Sequence, residues 1–241
     1  MSPFKNIAII GACGALGQAF LKRLLESYDT EHIYTFSSQE FSMRNDRVTS
    51  FTINYDDEDS IAKAANLAFK EKSLDLILVT SGILHDATVL PEKSLRDLSI
   101  YKFQKLFLAN TIVPALVAKH FLPHLDKEKP FIFAALSARV GSISDNHLGG
   151  WYSYRASKTA LNMVIKNIAI EQGRRNKQSI IVGLHPGTVN SKLSKPFSSN
   201  VPAHKLFTPE FSATKLLDVL SKLNPRNSGK IFAWDGSLVE P

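Results

Sequence analysis

The chain has 241 residues, 44% of them hydrophobic, with a net charge of +7 and one cysteine. That is ample apolar material for a large core. A lone Cys13 excludes an intrachain disulfide, and scattered Lys and Arg without interleaved aromatics argue against a nucleic-acid surface. The apolar run in "MSPFKNIAII" is too short for a signal peptide, and none reaches the ~18 residues expected of a spanning helix, so a soluble cytoplasmic protein is expected.

Short apolar runs alternate with helical patterns along the chain. "NIAII" (6–10) reads as a buried strand. Leu16, Phe20, Leu24 and Tyr28, with Leu21 and Leu25 beside them, mark a helix over 16–28. Strands follow at 32–36 and 48–53. A helix over 56–70 opens on acidic residues, where the helix dipole favours them. Apolar strands at 74–79 and 129–137 bracket one long helix over 101–122, with Pro114 a kink point. The region 151–172 is helical, 179–185 is a strand, 209–223 a helix and 229–234 a last strand. Seven near-continuous apolar strands separated by helices predict a single-domain α/β fold. It is a Rossmann-like, doubly wound parallel sheet with helices on both faces.

Directly after the first strand comes "GACGALG", with Gly11, Gly14 and Gly17 at the entry to the first helix. Glycines there permit a tight turn, close approach of the backbone to a pyrophosphate, and packing of helix on strand. The helix N-terminus then meets the phosphate charge. Cys13 reads as a small residue in this turn. The second strand ends "YTFSSQ", with Ser37 and Ser38 but no acid before Glu40, and with Arg44 and Arg47 close behind. A missing acid with hydroxyls and arginines nearby suits a 2′-phosphate, so NADP(H) is favoured over NAD(H).

"GACGALG", "TSGI" (80–83), Asn110, Ser137, "YRASK" (154–158) and "HPGTV" (185–189) occur in an order and at intervals that resemble the short-chain dehydrogenases/reductases, across essentially the whole chain. "SARVGSISDN", "GGWYSYRASKTALN" and "IFAWDGS" are most similar to the branch holding the C-factor signalling proteins and sniffer-type carbonyl reductases. The resemblance implies a cofactor half over about 1–130 and a catalytic half over about 131–241. It implies cofactor contacts at Gly11, Cys13, Gly14, Ala15, Leu16 and Gly17, and at Ser37, Ser38, Asn54 and Tyr55. Further contacts are implied at Ser81, Gly82, Lys158, Pro186, Gly187 and Val189. It also implies a small carbonyl or alcohol substrate and a homodimer or homotetramer built through the helices of Asn110 and Tyr154.

Tyr154 and Lys158 are i and i+4, hence on one helix face, whereas Tyr152 points elsewhere. In the resembled family the tyrosine is the general acid. Its free pKa of about 10 is poorly matched to neutral pH, and a lysine one turn away together with an oxidised nicotinamide is expected to lower it. The resemblance gives Asn110 a proton-relaying water. The family's Ser-Ser-x-x-Gly is here "LSARVG", so Ala138 stands where the second serine would. Ser137, at the strand end, is favoured over Ser142 as the group that polarises the carbonyl. Other departures are "VTSG" in place of Asn-Asn-Ala-Gly and Asn54 in place of an adenine-contacting acid.

His120 and His124 have ligand spacing but lack a third partner, so no metal is expected. His185 reads as structural. The long segment 188–207 reads as a lid, with Leu193 and Phe197 as its apolar contacts. A binding or signalling protein of the C-factor type, with little turnover, is the alternative to an enzyme.

Overall fold

The computed structural model describes residues 4–27, 29–70, 73–197 and 202–241. Seven strands form one sheet: β1 (Asn6–Ile10), β2 (His32–Ser37), β3 (Val48–Thr52), β4 (Leu76–Val79), β5 (Ile132–Leu136), β6 (Ile180–His185) and a last one, Ile231–Ala233. Their order is β3-β2-β1-β4-β5-β6 followed by the Ile231–Ala233 strand, and every pairing is parallel. The order reverses between β1 and β4, and in such sheets ligands bind at the carboxyl edge of that switch point.

Alternation along β1 shows why its strand reads as uniformly apolar. Ile7 and Ile9 face a core shared with Phe20, Leu21 and Leu24 of α1 (Ala15–Leu25) and with Ala213, Leu216 and Leu217 of α6 (Pro209–Leu220). Ala8 and Ile10 face the opposite core, with Ile61 and Ala65 of α2 (Glu58–Ala68), Val117 and Phe121 of α4 (Val113–Phe121), and Leu161 and Ile165 of α5 (Tyr152–Arg175). Both strand faces are buried, so neither can be polar.

The helix over 16–28 ends at Leu25, and Tyr28 lies outside the described residues. Asp57 caps α2, its carboxylate accepting from Asp59 N at 3.1 Å. The single helix expected over 101–122 is three pieces: α3 (Ile100–Phe107), a π-helical turn at Leu108–Ile112, and α4. Pro114 has no N–H for the α-helical bond to the Asn110 carbonyl, and the wider turn sits at that interruption. Contrary to the sequence expectation, Ile100–His124 is long and apolar enough by length and composition to cross a membrane. Half of its most apolar stretch is nevertheless buried, and α4 packs against α2 while α3 packs against α5. Two short strands that periodicity did not reveal, β7 (Thr188–Val189) and β8 (Leu206–Phe207), pair in parallel. With these included, the Ile231–Ala233 strand is β9.

Candidate active site

The turn after β1 is set by backbone crowding. Gly11 has φ +95°, and a Cβ there would stand 2.5 Å from Ser81 N. A Cβ on Gly17 would stand 2.4 Å from the Gly11 carbonyl oxygen. Gly14 N closes the turn on Gly11 O at 3.0 Å, and Cys13 N donates to Ser37 Oγ at 3.2 Å. Gly14 caps α1 without any side chain, so the first-turn N–H groups, at Ala15 and Leu16 among others, are left for a ligand anion.

A cavity of about 410 Å³ opens over this turn. Of the residues expected at the cofactor, Gly11, Cys13, Gly14, Ser37, Ser38, Asn54, Tyr55, Ser81 and Gly82 line it. So do Thr80, Asp56, Ile83, Lys105, Leu108, Ala109 and Val113, which the sequence reading missed. Thr80 opens "TSGI" and could have been taken from it; its Oγ1 donates to the Ile10 and Gly11 carbonyls. Ala15, Leu16, Gly17, Lys158, Pro186, Gly187 and Val189 do not line the cavity. Gly17 serves helix–strand packing instead. Gly187, at φ +76°, lies under Phe207, which a Cβ would approach to 2.6 Å. The groove suits a dinucleotide: an uncapped helix start, backbone too crowded at Gly11 and Gly17 for any side chain, and a buried Ser81 Oγ with no partner among the described residues.

One expected contact is corrected. Arg47 donates to the carbonyls of Leu25, Ser27 and Thr30, so it caps the chain leaving α1 and does not face the cavity. Arg44 and Ser38 are exposed near the end of β2.

The second half of the site centres on the start of α5. Asn110, fully buried in the π-helical turn, accepts from Ile83 N (2.9 Å) and donates from Nδ2 to Ile83 O (2.8 Å) and Ser157 Oγ (3.1 Å). Ser157 Oγ in turn donates to Tyr154 O at 2.7 Å. A Cβ on Gly82 would stand 3.0 Å from Asn110 Oδ1 and 3.5 Å from Lys158 Nζ, so the cavity wall, the π turn and α5 meet at that residue. Gly141 lies equally close to the Lys158 backbone, 2.9 Å for a Cβ, which seats the loop after β5 on α5.

Tyr154 is buried in a small apolar cluster with Leu84, Val89 and Leu106, flanked by Ile83, Val140, Trp151 and Phe197. Lys158 Nζ lies 5.8 Å from the Tyr154 ring centroid and donates to Leu136 O at 2.9 Å. Burial pushes the Tyr154 phenol up to about 12 and the Lys158 ammonium down to about 8. Without cofactor, desolvation raises the Tyr154 phenol, and the Lys158 ammonium is bonded to a carbonyl.

The serines are occupied elsewhere. Ser137 Oγ donates to Asn162 Oδ1 at 2.6 Å, and Ser142 Oγ contacts Ser144 Oγ and the C-terminal Pro241 oxygen. Among the described residues neither hydroxyl donates to Tyr154. Ala138, between them, is half-buried.

An aromatic mouth stands over Tyr154. The Trp151 ring meets Tyr154 at 6.1 Å and Phe197 at 5.1 Å, and His85 meets Phe197 at 5.4 Å. Trp151 has φ +49°, in a region that costs a bulky residue about 1–2 kcal/mol. Phe197 therefore makes the apolar contact expected of it. Leu193 does not: its side chain is largely exposed, and its carbonyl accepts from His85 Nε2 at 3.1 Å. Tyr152 is half-buried and outside the cluster. His120 pairs with Glu58 (2.9 Å) and His124 stacks on Phe69. His185 is held neutral, burial pushing it down to about 4.

A cavity floored by a glycine turn, joined at Gly82 to a buried tyrosine–lysine pair, defines a nucleotide-binding oxidoreductase scaffold. The short chain dehydrogenase family model matches residues 5–202, and the chain belongs to that family. It is 31% identical over 179 residues, 74% of each chain, to the 1-hydroxy-2-glutathionyl-2-methyl-3-butene dehydrogenase of Rhodococcus sp. (strain AD45). It is 32% identical over 146 residues, 61% of this chain and 82% of the other, to the C-signal of Myxococcus xanthus, from the branch its motifs resemble. The carbonyl reductase Sniffer of D. melanogaster has the same fold, with a TM-score of 0.83 at 22% identity over 98% of this chain and 99% of the other. The protein is thus an NAD(P)-dependent dehydrogenase/reductase of small molecules.

Proposed function

We propose that the protein is an NADP(H)-dependent reductase of small apolar carbonyl compounds. The observation that carries this is the position of Tyr154, buried beside Lys158 and facing the aromatic mouth, one residue contact away from the glycine-floored cavity at Gly82. The cofactor, when bound, supplies the hydride. Gly11, Cys13 and Gly14 with the free N–H groups of Ala15 and Leu16 would hold its pyrophosphate, Gly17 letting the helix pack close behind them, with Ser37, Ser38, Asn54 and Tyr55 on the adenosine side. Ser81, Gly82, Lys158, Pro186, Gly187 and Val189 would contact its nicotinamide half. NADP(H) is supported by the lack of an acid before Glu40 and by exposed Ser38 and Arg44, with Arg47 removed from that argument.

Tyr154 Oη holds the proton that the carbonyl oxygen takes as charge develops on it. Burial keeps the phenol protonated, and a bound oxidised nicotinamide would favour the phenolate and ease release of that proton. Lys158 orients the tyrosine face and the cofactor ribose. Asn110 fixes Ile83 and Ser157, and its main-chain oxygen, which Pro114 cannot bond, is the site for a relay water. Ser137 serves the carbonyl only if its hydroxyl turns from Asn162, so Tyr154 carries most of that stabilisation. The cofactor part spans about 1–130 and the catalytic part about 131–241. Exposed Tyr101, Ile112, Met163 and Ile170 on the helices of Asn110 and Tyr154 support a homodimer or homotetramer, and the single cysteine a cytoplasmic setting.

NADPH oxidation against a panel of aldehydes, ketones and quinones tests the proposal. Turnover of apolar members supports it. Tight NADPH binding without turnover favours a second reading, a cofactor-binding signalling protein, which the committed hydroxyls of Ser137 and Ser142 favour.

A further inference from the structure

Glu92 is a buried acid that none of this chemistry uses. It lies in the loop between β4 and α3, its side chain is fully buried, and among the described residues no Lys, Arg or His pairs with it. Its bonds all go to the start of α5. Oε1 accepts from Ser153 Oγ at 2.5 Å, Oε2 accepts from Ser153 N at 3.3 Å, and its main-chain oxygen accepts from Trp151 N at 2.6 Å.

Those partners occupy the point where the chain is most contorted. Gly149, Gly150 and Trp151 have φ of +63°, +65° and +49°, three left-handed residues in succession. Trp151 caps α5 with no side-chain bond, so the helix has no cap from its own sequence. Glu92, 61 residues before Ser153, takes the N–H that a local cap would take at the start of a 24-residue helix. Ser153 immediately precedes Tyr154.

We infer that Glu92 is a positioning residue. Its paired bonds to Ser153, with its main-chain bond to Trp151, hold the strained entry to α5 and thereby set Tyr154 and the Trp151 ring against the substrate. The left-handed Trp151 is the conformation this clamp maintains, and it carries the indole onto Tyr154 and Phe197.

The kinetic arm of the test rests on the reductase reading; the exchange arm does not. In cofactor-free protein, Glu92→Ala should speed amide hydrogen exchange at Ser153 roughly tenfold or more, with the sheet unaffected. Glu92→Gln should stay near wild type, because its Oε1 can accept from Ser153 N while its amide donates to Ser153 Oγ. On whichever carbonyl the wild type reduces, Glu92→Ala should lower kcat roughly 10- to 100-fold with NADPH affinity unchanged, and Glu92→Gln should restore most of it. An unaltered Ser153 amide in Glu92→Ala, or equal impairment of the Ala and Gln variants, would overturn the inference. Should Glu92→Ala not fold, Ser153→Ala decides: a lowered kcat with intact NADPH binding supports the clamp, and a wild-type kcat overturns it. A wild type that reduces no carbonyl would sink the functional reading alone, and the exchange result would still judge Glu92.

Discussion

Lys158 donates its ammonium to the main-chain oxygen of Leu136, the last residue of β5, at 2.9 Å. That bond tethers the catalytic helix to the sheet, yet the ammonium stays buried with no carboxylate beside it among the described residues. Its pKa falls from 10.5 to about 8, so burial of the charge opposes folding. That penalty is fully present below pH 8. It is relieved as pH rises toward 10.5, because in that window the unfolded chain binds the proton and the folded one does not. Lys158→Met should therefore abolish carbonyl reduction while making the protein about 1–3 kcal/mol more stable at pH 7, measured by urea unfolding. The wild type should gain stability between pH 8 and 10 and the variant should not. A variant less stable than wild type would show that the bond to Leu136 outweighs the buried charge.

Gly82 is the hinge between the cofactor cavity and the catalytic helix. A methyl group there would crowd Asn110 Oδ1 at 3.0 Å and Lys158 Nζ at 3.5 Å. Gly82→Ala should destabilise by about 1 kcal/mol and weaken NADPH binding about tenfold. Fluorescence titration of NADPH reads the second effect, and unchanged affinity would place the cofactor elsewhere.

The serine question becomes a pair of variants. Ser137→Ala loses the bond to Asn162 and should cost about 1 kcal/mol of stability with kcat within about threefold of wild type. Ala138→Ser adds a hydroxyl at the half-buried position between the two occupied serines, and should raise kcat about tenfold or more if it reaches the carbonyl oxygen. A collapse of kcat in Ser137→Ala, with stability retained, would restore Ser137 to the chemistry.

Features fixed by neighbouring residues were legible in the chain. The Gly11 turn, the i, i+4 pair of Tyr154 and Lys158, and the uniformly apolar strands each follow from local spacing. Features fixed by distant residues were not. The clamp from Glu92 spans 61 positions, and Arg47 is drawn from the cofactor by the carbonyls after α1. The π-helical turn at Asn110 does not alter the apolar periodicity enough to be seen beside Pro114. The burial that raises the Tyr154 pKa in the cofactor-free chain comes from Leu84, Val89 and Leu106, which no local spacing ties to Tyr154.

The central claim is that Tyr154 gives the proton to the carbonyl oxygen. The direct measurement is kcat for NADPH-dependent reduction by Tyr154→Phe, with NADPH affinity measured alongside. The account predicts a fall of about 10³-fold with cofactor binding retained, and a Tyr152→Phe control close to wild type. Undiminished turnover by Tyr154→Phe would contradict it.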